Sequence, residues 1–289
     1  MRVLLAGATG AIGRLLVPLL QQAGHEVFGC SRTTEGLEQI RRQGARAIQI
    51  DVFDHARLLA AVANVKPDAV IHQLTALSAG SSQENAKIRV EGTRNLVDAA
   101  LAAGSKRLIA QSIAWIYEAG SEPALETTPL DSAAAEPRAT TIRAVQSLEA
   151  AASEIPEHAV LRYGTFYGPG TWYAPGGLIA QRIRAGELTP SDAVTSFIHV
   201  RDAASAAVQA LTWPSGTYHI VDDEPARARD WLPALAEALQ LTAPRGEGKA
   251  APWERGANNA RARALGFRPH YASWRAGFAA LAAEVGSSV

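Results

Sequence analysis

Short apolar runs alternate with amphipathic stretches through the first half of the chain. The run at residues 2–6 predicts a buried strand, and from Ala11 onward apolar side chains recur at helical spacing on one face. The same alternation continues to residue 111 and predicts an α/β fold with a doubly wound parallel sheet. The further predicted strands span 26–31, 46–50, 68–74 and 107–111, and the predicted helices span 33–44, 54–64 and 82–103.

The second half of the chain is less regular. Residues 118–137 contain three prolines and predict a loop, and residues 164–177 hold five glycines, two prolines and four aromatic residues. A long loop of that composition is more often functional than structural. The predicted helices are 138–153, 203–211, 230–239 with an acidic cap at Asp230, 257–265 and 273–284, and the predicted strands are 159–163, 195–200 and 217–221.

Three glycines, Gly7, Gly10 and Gly13, connect the first predicted strand to the first predicted helix. This order is typical of a dinucleotide-binding turn, in which the glycines permit a sharp reversal, a close approach of the backbone to a pyrophosphate and tight packing of the helix on the strand. The helix N-terminus then offers amides and a partial positive charge to the phosphates. A plain chain reversal is the alternative interpretation. The other residues of this turn predicted to contact the cofactor are Thr9, Ala11, Ile12 and Arg14.

Composition narrows the possible classes of protein. The 289 residues are 47% hydrophobic, and 28 basic residues balance 28 acidic ones, which argues against a nucleic-acid-binding protein. The single cysteine, Cys30, excludes an internal disulfide and a cysteine-based zinc cluster, and no metal site is expected. The first apolar run is too short for a signal peptide, and no run approaches the roughly 20 residues of a membrane span. We therefore expect a cytoplasmic protein with no membrane partner.

Five sequence blocks in this order resemble the short-chain dehydrogenase/reductase superfamily, in its extended or atypical NAD(P)-dependent epimerase/dehydratase branch. The resemblance implies a Rossmann-type sheet with a small C-terminal substrate-binding lobe. It implies an oxidoreductase or epimerase/dehydratase-like enzyme acting on a small carbonyl, hydroxyl or sugar-derived substrate, and it suggests a homodimer paired through helices 82–103 and 138–153. The blocks are residues 7–13, 92–96, 161–170, 197–202 and 216–223. The implied domains are 1–165 with parts of 190–225 for NADP, and 166–190 with 224–289 for the substrate lobe.

The end of the second strand predicts which dinucleotide is bound. NAD enzymes commonly carry a carboxylate there, whereas this chain has Ser31 and Arg32. A guanidinium forms charge-assisted bonds to a 2′-phosphate, with Arg14 and Thr33 as further candidates, so we expect NADP rather than NAD. A solvated strand-end charge is the alternative for Arg32. The resemblance also implies cofactor contacts from Asp51, Val52, Leu74, Thr75 and Tyr163.

The family's catalytic pair is missing. In this family the acid is a helical Tyr whose pKa is lowered by a Lys four residues further on. The corresponding positions here are Thr141 and Val145, and no Tyr-x-x-x-Lys occurs anywhere in the chain. The helix Asn that often precedes Gly-Thr is replaced by Arg89. The usual ketoreductase mechanism therefore cannot operate with its usual residues.

Substitutes for the missing acid lie near the ends of predicted strands. We predict Tyr117 as the acid and Ser112 as a hydrogen-bond donor, although Ile113 competes for the family's Ser position and a packed aromatic is the alternative for Tyr117. Tyr163 and His72 are further candidates, and a satisfied strand-end histidine is the alternative for His72. The remaining candidates are Arg143 for an anionic substrate or a helix surface, Trp172 and Tyr173 for a pocket wall or loop anchors, and His199 with Asp202 for a structural role.

Two other functions stay open at this point. The lost Tyr and Lys are compatible with a non-catalytic NADP-binding sensor or regulatory protein. The same loss is compatible with lyase or isomerase chemistry that uses the pocket without hydride transfer.

Overall fold

The structure is a computed structural model that describes residues 1–76 and 82–286, with side chains described as far as residue 281. Its contacts divide into two compact units. Unit 1 comprises Met1–Ser112, Asp131–Leu161 and Ala204–Thr217, and unit 2 comprises Ile113–Leu130, Arg162–Ala203 and Tyr218–Val289. This division places Ile113–Leu130 with the later segments, whereas the domain boundaries from the sequence kept them with the first domain. The functional division into domains stays a prediction.

The central sheet has seven strands. They are β1 Arg2–Ala6, β2 Glu26–Ser31, β3 Arg46–Gln49, β4 Ala69–His72, β5 Arg107–Ile113, β6 Glu157–Tyr163 and β10 Gly216–Ile220. Their order is β10-β6-β5-β4-β1-β2-β3, and the register of the β1–β2, β1–β4, β2–β3 and β4–β5 pairs is parallel throughout. This is the doubly wound arrangement that the alternating pattern predicts.

The helices of unit 1 pack their apolar faces on this sheet. They are α1 Gly13–Gln22, α2 Thr34–Arg42, α3 His55–Val65, α4 Ser82–Lys87, α5 Thr93–Ala102, α6 Arg138–Ala152, and most of α8 Val200–Gln209, which continues into a 3₁₀ turn Ala210–Thr212. Leu37 and Ile40 are buried on α2, as the helical spacing predicts. Thr33 caps α2 by accepting from the Gly36 amide, and Asp54 caps α3 by accepting from the Arg57 amide.

The helix predicted at 82–103 is not continuous. A π-helical turn, Ile88–Gly92, separates α4 from α5. The Thr93 hydroxyl donates to the Ile88 carbonyl (3.3 Å), which satisfies an acceptor that the wide turn leaves without an ordinary helical partner. Gly92 lies so close to Val52 that an added Cβ would be 3.1 Å from its side chain, so the widened turn packs tightly against the end of β3. Periodicity alone does not reveal such a turn, because the apolar spacing on either side is helical.

Unit 2 has its own core, in which Phe197, Tyr167, Trp231, Trp274 and Phe278 are buried. The elements confined to this unit are β7 Thr165–Tyr167, α7 Leu178–Arg184, β8 Val194–Thr195, β9 Phe197–His199, β11 Ala226–Arg227, α9 Ala228–Ala238, α10 Ala260–Ala264 and α11 Trp274–Gly286. Two small sheets contribute to the core, with β7 pairing parallel to β9 and β8 pairing antiparallel to β11.

Three details of unit 2 differ from the sequence predictions. The segment predicted as a loop over 164–177 begins with β7, and α7 follows it without having been predicted. Helix α9 begins at Ala228, so Asp230 lies inside its first turn instead of capping it. These elements are short and depend on pairing partners far along the chain, which local periodicity does not reveal. None of the helices in the described part of the chain is long and apolar enough to cross a membrane.

Asp222, which follows β10, is a buried carboxyl group that should make the stability of the folded chain depend on pH. It is 2% exposed, its Oδ1 accepts from the Glu224 amide (3.1 Å), and its Oδ2 has no hydrogen-bond partner among the described residues. Burial raises the pKa of this carboxyl to about 8. The folded chain therefore keeps a proton that the unfolded chain releases above about pH 4, and this group lowers stability as pH rises from 4 to 8, by up to about 1.4 kcal/mol per pH unit.

We expect Asp222→Asn to raise the thermal unfolding midpoint at pH 8 more than at pH 5, because the amide carries no charge to bury. Differential scanning calorimetry of both proteins across this range measures the effect. Asp230→Asn, which removes an exposed carboxylate from the same unit, is the control substitution against which the Asp222→Asn curve is compared. Parallel curves for Asp222→Asn and the unmodified chain would contradict this assignment.

Candidate cofactor site and aromatic cleft

The turn after β1 is built without room for side chains at two of its three glycines. Gly7 has a φ of +94°, and an added Cβ would lie 2.6 Å from the Gln73 carbonyl oxygen. A Cβ on Gly13 would overlap the Gly7 carbonyl oxygen, so α1 packs directly on the turn. At Gly10 the nearest atom would be 3.4 Å away, which leaves ordinary space on the protein side. Gly10 therefore faces outward, as a backbone that approaches a ligand closely does.

The start of α1 presents hydrogen-bond donors. The Ala11 and Ile12 amides have no hydrogen-bond partner within residues 1–76 and 82–286. They lie at the N-terminal end of α1, where the partial positive charge of the helix favours an anion. The narrow glycine turn and these two amides fit the pyrophosphate of a dinucleotide.

The end of β2 lies beside the same turn. A Cβ on Gly36 would overlap Ser31 Oγ and would approach the Thr9 methyl group to 3.1 Å, so these three residues are neighbours. Arg14 and Arg32 are both exposed, and neither forms an ion pair within the described ranges. Arg32, directly after β2, thus remains available at the strand end at which the adenosine ribose is expected, and Arg14 is a second exposed guanidinium, on the first turn of α1.

The other predicted cofactor contacts are spread over the ends of the neighbouring strands. Asp51 is exposed and accepts from the Phe53 amide, and Val52 is buried, with its carbonyl accepting from Asn95 (2.8 Å). Leu74 and Thr75 are half-buried after β4. In unit 2, Tyr163 is buried and its hydroxyl donates to the Ala203 carbonyl (3.4 Å). Their contacts with a cofactor stay predictions.

His72, at the end of β4, is a buried and satisfied histidine. Nδ1 accepts from the Leu74 amide (3.2 Å), so Nε2 carries the proton and donates to Thr93 Oγ1 (2.8 Å). Burial and the nearby charge of Arg89 lower its pKa to about 4. A neutral imidazole with both nitrogens engaged is a poor proton donor at neutral pH, and the structural alternative for His72 describes it better.

The positions of the family's Tyr and Lys have no proton-transfer chemistry. Thr141 is half-buried on α6, and Val145 is fully buried one turn later. Ser112 is 1% exposed and donates its hydroxyl proton to Glu149 Oε1 (2.6 Å). Because side chains alternate along a strand, Ile113 points to the opposite face of β5 and has no hydroxyl to offer. This geometry does not support Ser112 as a donor to substrate, and its catalytic role stays a prediction.

Tyr117 belongs to a buried polar network within unit 2. Arg162 donates to the Tyr117 hydroxyl (2.6 Å) and to the Glu126 carbonyl (3.3 Å). His219 Nδ1 lies 2.8 Å from the Asn258 carbonyl, so its proton is on Nδ1, and the Tyr117 hydroxyl donates to Nε2. Tyr117 is 1% exposed, so its hydroxyl is not in water. It is a packed aromatic in a network, and whether it transfers a proton stays a prediction.

A cleft of about 260 Å³ lies next to this network, entirely within unit 2. Trp115 and Trp253 both line it, and their rings contact each other with centroids 6.5 Å apart and a tilt of 39°. Trp115 is 41% exposed, so an aromatic ligand can stack on an indole face. Arg255 donates to the Glu122 carbonyl (2.5 Å) and fixes the loop that forms one wall. The lining residues are Ala114, Trp115, Tyr117, Gly164, Thr165, Val194, Thr195, Ser196, Trp253, Glu254, Arg255 and Gly256.

The sequence did not single out this cleft. Trp253 lies in a stretch with no motif, and nothing local links it to Trp115. Arg162 and His219 both fall inside blocks that carried the resemblance, and this was the one available signal for them. Their link to Tyr117 is visible only in three dimensions.

Several other candidates have structural roles. Arg143 is exposed on α6 and pairs with Glu136, as the helix-surface alternative predicts. Tyr173 packs against Phe197 and Trp231 in the unit 2 core, as a loop anchor does. Asp202 accepts from the His270 and Tyr271 amides (2.7 and 3.2 Å), so it joins α8 to the segment before α11. Neither Trp172 nor Tyr173 lines the cleft.

The contrast between Gly10 and Gly13 is testable. We expect Gly10→Ala to leave the free energy of unfolding within about 0.5 kcal/mol while weakening dinucleotide binding at least tenfold, because its Cβ is tolerated by the protein but blocks the pyrophosphate. Gly13→Ala should instead lower stability by about 1–3 kcal/mol through the overlap with Gly7. Urea unfolding and titration of NADPH measure the two effects. Unchanged NADPH binding in Gly10→Ala would contradict the assignment of the turn.

Comparisons with known proteins agree with this geometry. Residues 3–221 match the model of the NAD dependent epimerase/dehydratase family. A Streptomyces sp. protein named 3-diazoavenalumate denitrifying reductase is 43% identical over 304 residues, which cover 96% of this chain and 99% of the relative.

Solved structures share the fold. UDP-glucose 4-epimerase from Thermotoga maritima, solved with UDP-glucose, is 20% identical with a TM-score of 0.79, covering 100% of this chain and 99% of that one. UDP-glucose 4-epimerase from Thermus thermophilus, solved with NAD, is 24% identical with a TM-score of 0.78 and covers both chains completely. The chain therefore belongs to the NAD dependent epimerase/dehydratase family, as an oxidoreductase- or epimerase-like enzyme with a Rossmann-type fold.

Proposed function

We propose that this chain is an NADPH-dependent reductase that replaces the diazo group of a small aromatic carboxylate with hydrogen and releases N₂. The observation that carries the proposal is the combination of an intact dinucleotide turn with Thr141 and Val145 at the positions of the proton-transfer pair. The relative named 3-diazoavenalumate denitrifying reductase, 43% identical over nearly the whole chain, supports the reaction class.

The chemistry explains why the acid is dispensable. When bound, the reduced nicotinamide supplies a hydride to the carbon that carries the diazonium group, and the C–N bond breaks with its electron pair leaving in N₂. The balance is Ar–N₂⁺ + NADPH → Ar–H + N₂ + NADP⁺, and no proton enters or leaves. Carbonyl reduction differs, because the oxygen must gain a proton as the hydride arrives. A chain without the Tyr and Lys is therefore suited to the reduction of a diazonium group, which needs no proton donor.

The residues at the altered positions have a second effect. Val145, at the Lys position, is fully buried and apolar. Apolar side chains bind no water and donate no proton. Exclusion of water protects a diazonium carbon from hydrolysis to a phenol, which is the competing loss of N₂.

The tryptophan cleft in unit 2 favours an aromatic substrate. The exposed face of Trp115 and the ring of Trp253 offer stacking surface, and the cleft of about 260 Å³ is the size of a substituted benzene ring with a short chain. The substrate classes that the resemblance implied, a carbonyl, hydroxyl or sugar-derived compound, are the alternative for this cleft. A cytoplasmic homodimer is the expectation for localisation and assembly.

The choice of NADPH is supported by charge. Arg32 and Arg14 are exposed without an ion pair in the described residues, and no carboxylate stands at the end of β2. The family is described as NAD dependent, and the Thermus thermophilus structure contains NAD. The preference for NADPH is therefore a property proposed for this chain alone.

We expect Arg32→Asp to raise the dissociation constant of NADPH by roughly 10- to 100-fold, the equivalent of one charge-assisted bond, and to change NADH binding little. Tryptophan fluorescence titrations with both dinucleotides measure this. Arg41→Asp, on the last turn of α2, makes the same charge change as a control. An unchanged ratio of the two affinities in Arg32→Asp would disprove the role of Arg32.

The reaction itself is tested with 4-carboxybenzenediazonium and NADPH deuterated at the transferable position. We expect N₂ release and benzoate labelled at the carbon that carried the diazo group, at a rate above that of the mixture without protein. Mass spectrometry measures both products. Absence of enzymatic label transfer, together with turnover of a carbonyl or sugar substrate, would refute the proposal.

The Tyr117→Phe variant distinguishes reduction of a diazonium group from reduction of a carbonyl group. Removal of the phenol should lower turnover of the diazonium less than fivefold, because no proton donor is needed. A carbonyl substrate with Tyr117 as its acid would instead lose about 100-fold or more. The free energy of unfolding is measured alongside, since Arg162 and His219 each lose a partner in this variant.

A further inference from the structure

Arg89 is a buried cation without a counter-ion among the described residues. It is 7% exposed and lies in the π-helical turn between α4 and α5. Over the two described ranges of the chain its guanidinium has neither a hydrogen-bond acceptor nor an ion-pair partner, and none of its nitrogen atoms is among the fully enclosed unpaired ones, so the head group keeps some access to solvent. Its neighbour Glu91 is paired with Lys87 instead (3.7 Å).

The flanking residues show where Arg89 faces. Asn85 and Thr93, four positions before and after it, are both buried on the same face of the helix. Asn85 Oδ1 accepts from the Ala76 amide (3.2 Å), and Thr93 Oγ1 accepts from His72 (2.8 Å). Both partners lie at or just after the end of β4. Arg89 is therefore held against the carboxyl end of β4, the edge of an open α/β sheet where ligands bind.

The charge of Arg89 is retained despite burial. Burial lowers the pKa of its guanidinium to about 10, which still leaves it protonated at neutral pH. The same charge contributes to the low pKa of His72, so the two groups are close. A buried cation that lacks a partner is costly to the folded state, and π-helical turns of this kind frequently occur at functional sites.

We propose that Arg89 binds an oxyanion of the bound ligand, a carboxylate or a phosphate, through its planar pair of N–H donors. This geometry matches both groups, because a guanidinium presents two parallel donors to two oxygens. Under the proposed function, the phosphates of the dinucleotide are assigned to the Ala11 and Ile12 amides and to the Arg32 guanidinium. The substrate carboxylate is therefore the favoured source, and this assignment deepens the function proposed above and rests on it.

The test compares Arg89→Met with Arg94→Met. Methionine keeps the length and apolar stem of arginine without its charge. Arg94 lies on α5 and pairs with Asp98 and Glu154 near the surface, so it is a matched control that removes a guanidinium from the same helical segment. Isothermal titration calorimetry measures NADPH with each protein, and then benzoate and methyl benzoate in the presence of NADP⁺.

We expect Arg89→Met to weaken benzoate binding at least tenfold while methyl benzoate is unaffected, and Arg94→Met to change neither. A tenfold loss in NADPH affinity instead would identify a cofactor phosphate as the oxyanion and would support the proposal equally. Equal affinities of Arg89→Met and the unmodified protein for NADPH and for benzoate would overturn it. None of these measurements needs diazo turnover, so they can fail or succeed independently of the reaction proposed above.

Thermal unfolding distinguishes a ligand-binding role of Arg89 from a purely structural one. If Arg89 serves a ligand, Arg89→Met without ligand should be at least as stable as the unmodified chain, because an uncompensated charge is removed. A structural role would make the variant less stable, and that result would overturn the proposal. Arg89→Lys keeps the charge but loses the two-pronged donor, so it should recover part of the lost benzoate affinity.

Discussion

The close contact between the turn after β1 and the end of β4 is the constraint on which the rest of unit 1 depends. Gly7 can approach the Gln73 backbone only because it lacks a Cβ and adopts a positive φ. That approach sets the start of α1 on the turn through Gly13 and places the Ala11 and Ile12 amides at the carboxyl edge of the sheet. The same edge of the sheet also holds His72, whose hydrogen bond to Thr93 ties the π-helical turn and Arg89 to the end of β4.

Electrostatics at this edge follow from that arrangement. The Ala11 and Ile12 amides carry a partial positive charge, and three guanidinium groups, those of Arg14, Arg32 and Arg89, are fully positive. Burial and the charge of Arg89 lower the pKa of His72 and keep its imidazole neutral. On α6, the half-buried carboxylate of Glu149 accepts from Ser112. An edge with this balance favours anionic ligands, such as a dinucleotide and an acidic substrate. It is poorly suited to donating a proton, since no side chain described there combines a labile proton with free access.

The sequence predicts the sheet well and the site only in part. Periodicity identifies β1 to β5 and the helices between them because each buries a face whose spacing is local. The glycine turn is recognisable because its chemistry lies within seven residues. The partners of Tyr117 are not, since Arg162 and His219 are 45 and 102 residues away along the chain. Likewise, the π-helical turn depends on the Thr93 hydroxyl and on the packing of Gly92 against Val52. No sequence motif predicts the contact between Trp253 and Trp115.

The loss of Tyr and Lys has a different meaning for reactions with different leaving groups. A hydride delivered to a carbonyl creates an alkoxide, which a buried phenol and ammonium must neutralise before the product can leave. A hydride delivered to a diazonium carbon creates a C–H bond and neutral N₂, a gas that does not return. No developing negative charge then needs stabilisation, so the reaction requires no proton donor on α6. Under the proposed function, the apolar Val145 at the Lys position is therefore compatible with this chemistry, because no proton or charge is required of that position, while a dinucleotide held at the glycine turn would still supply the hydride.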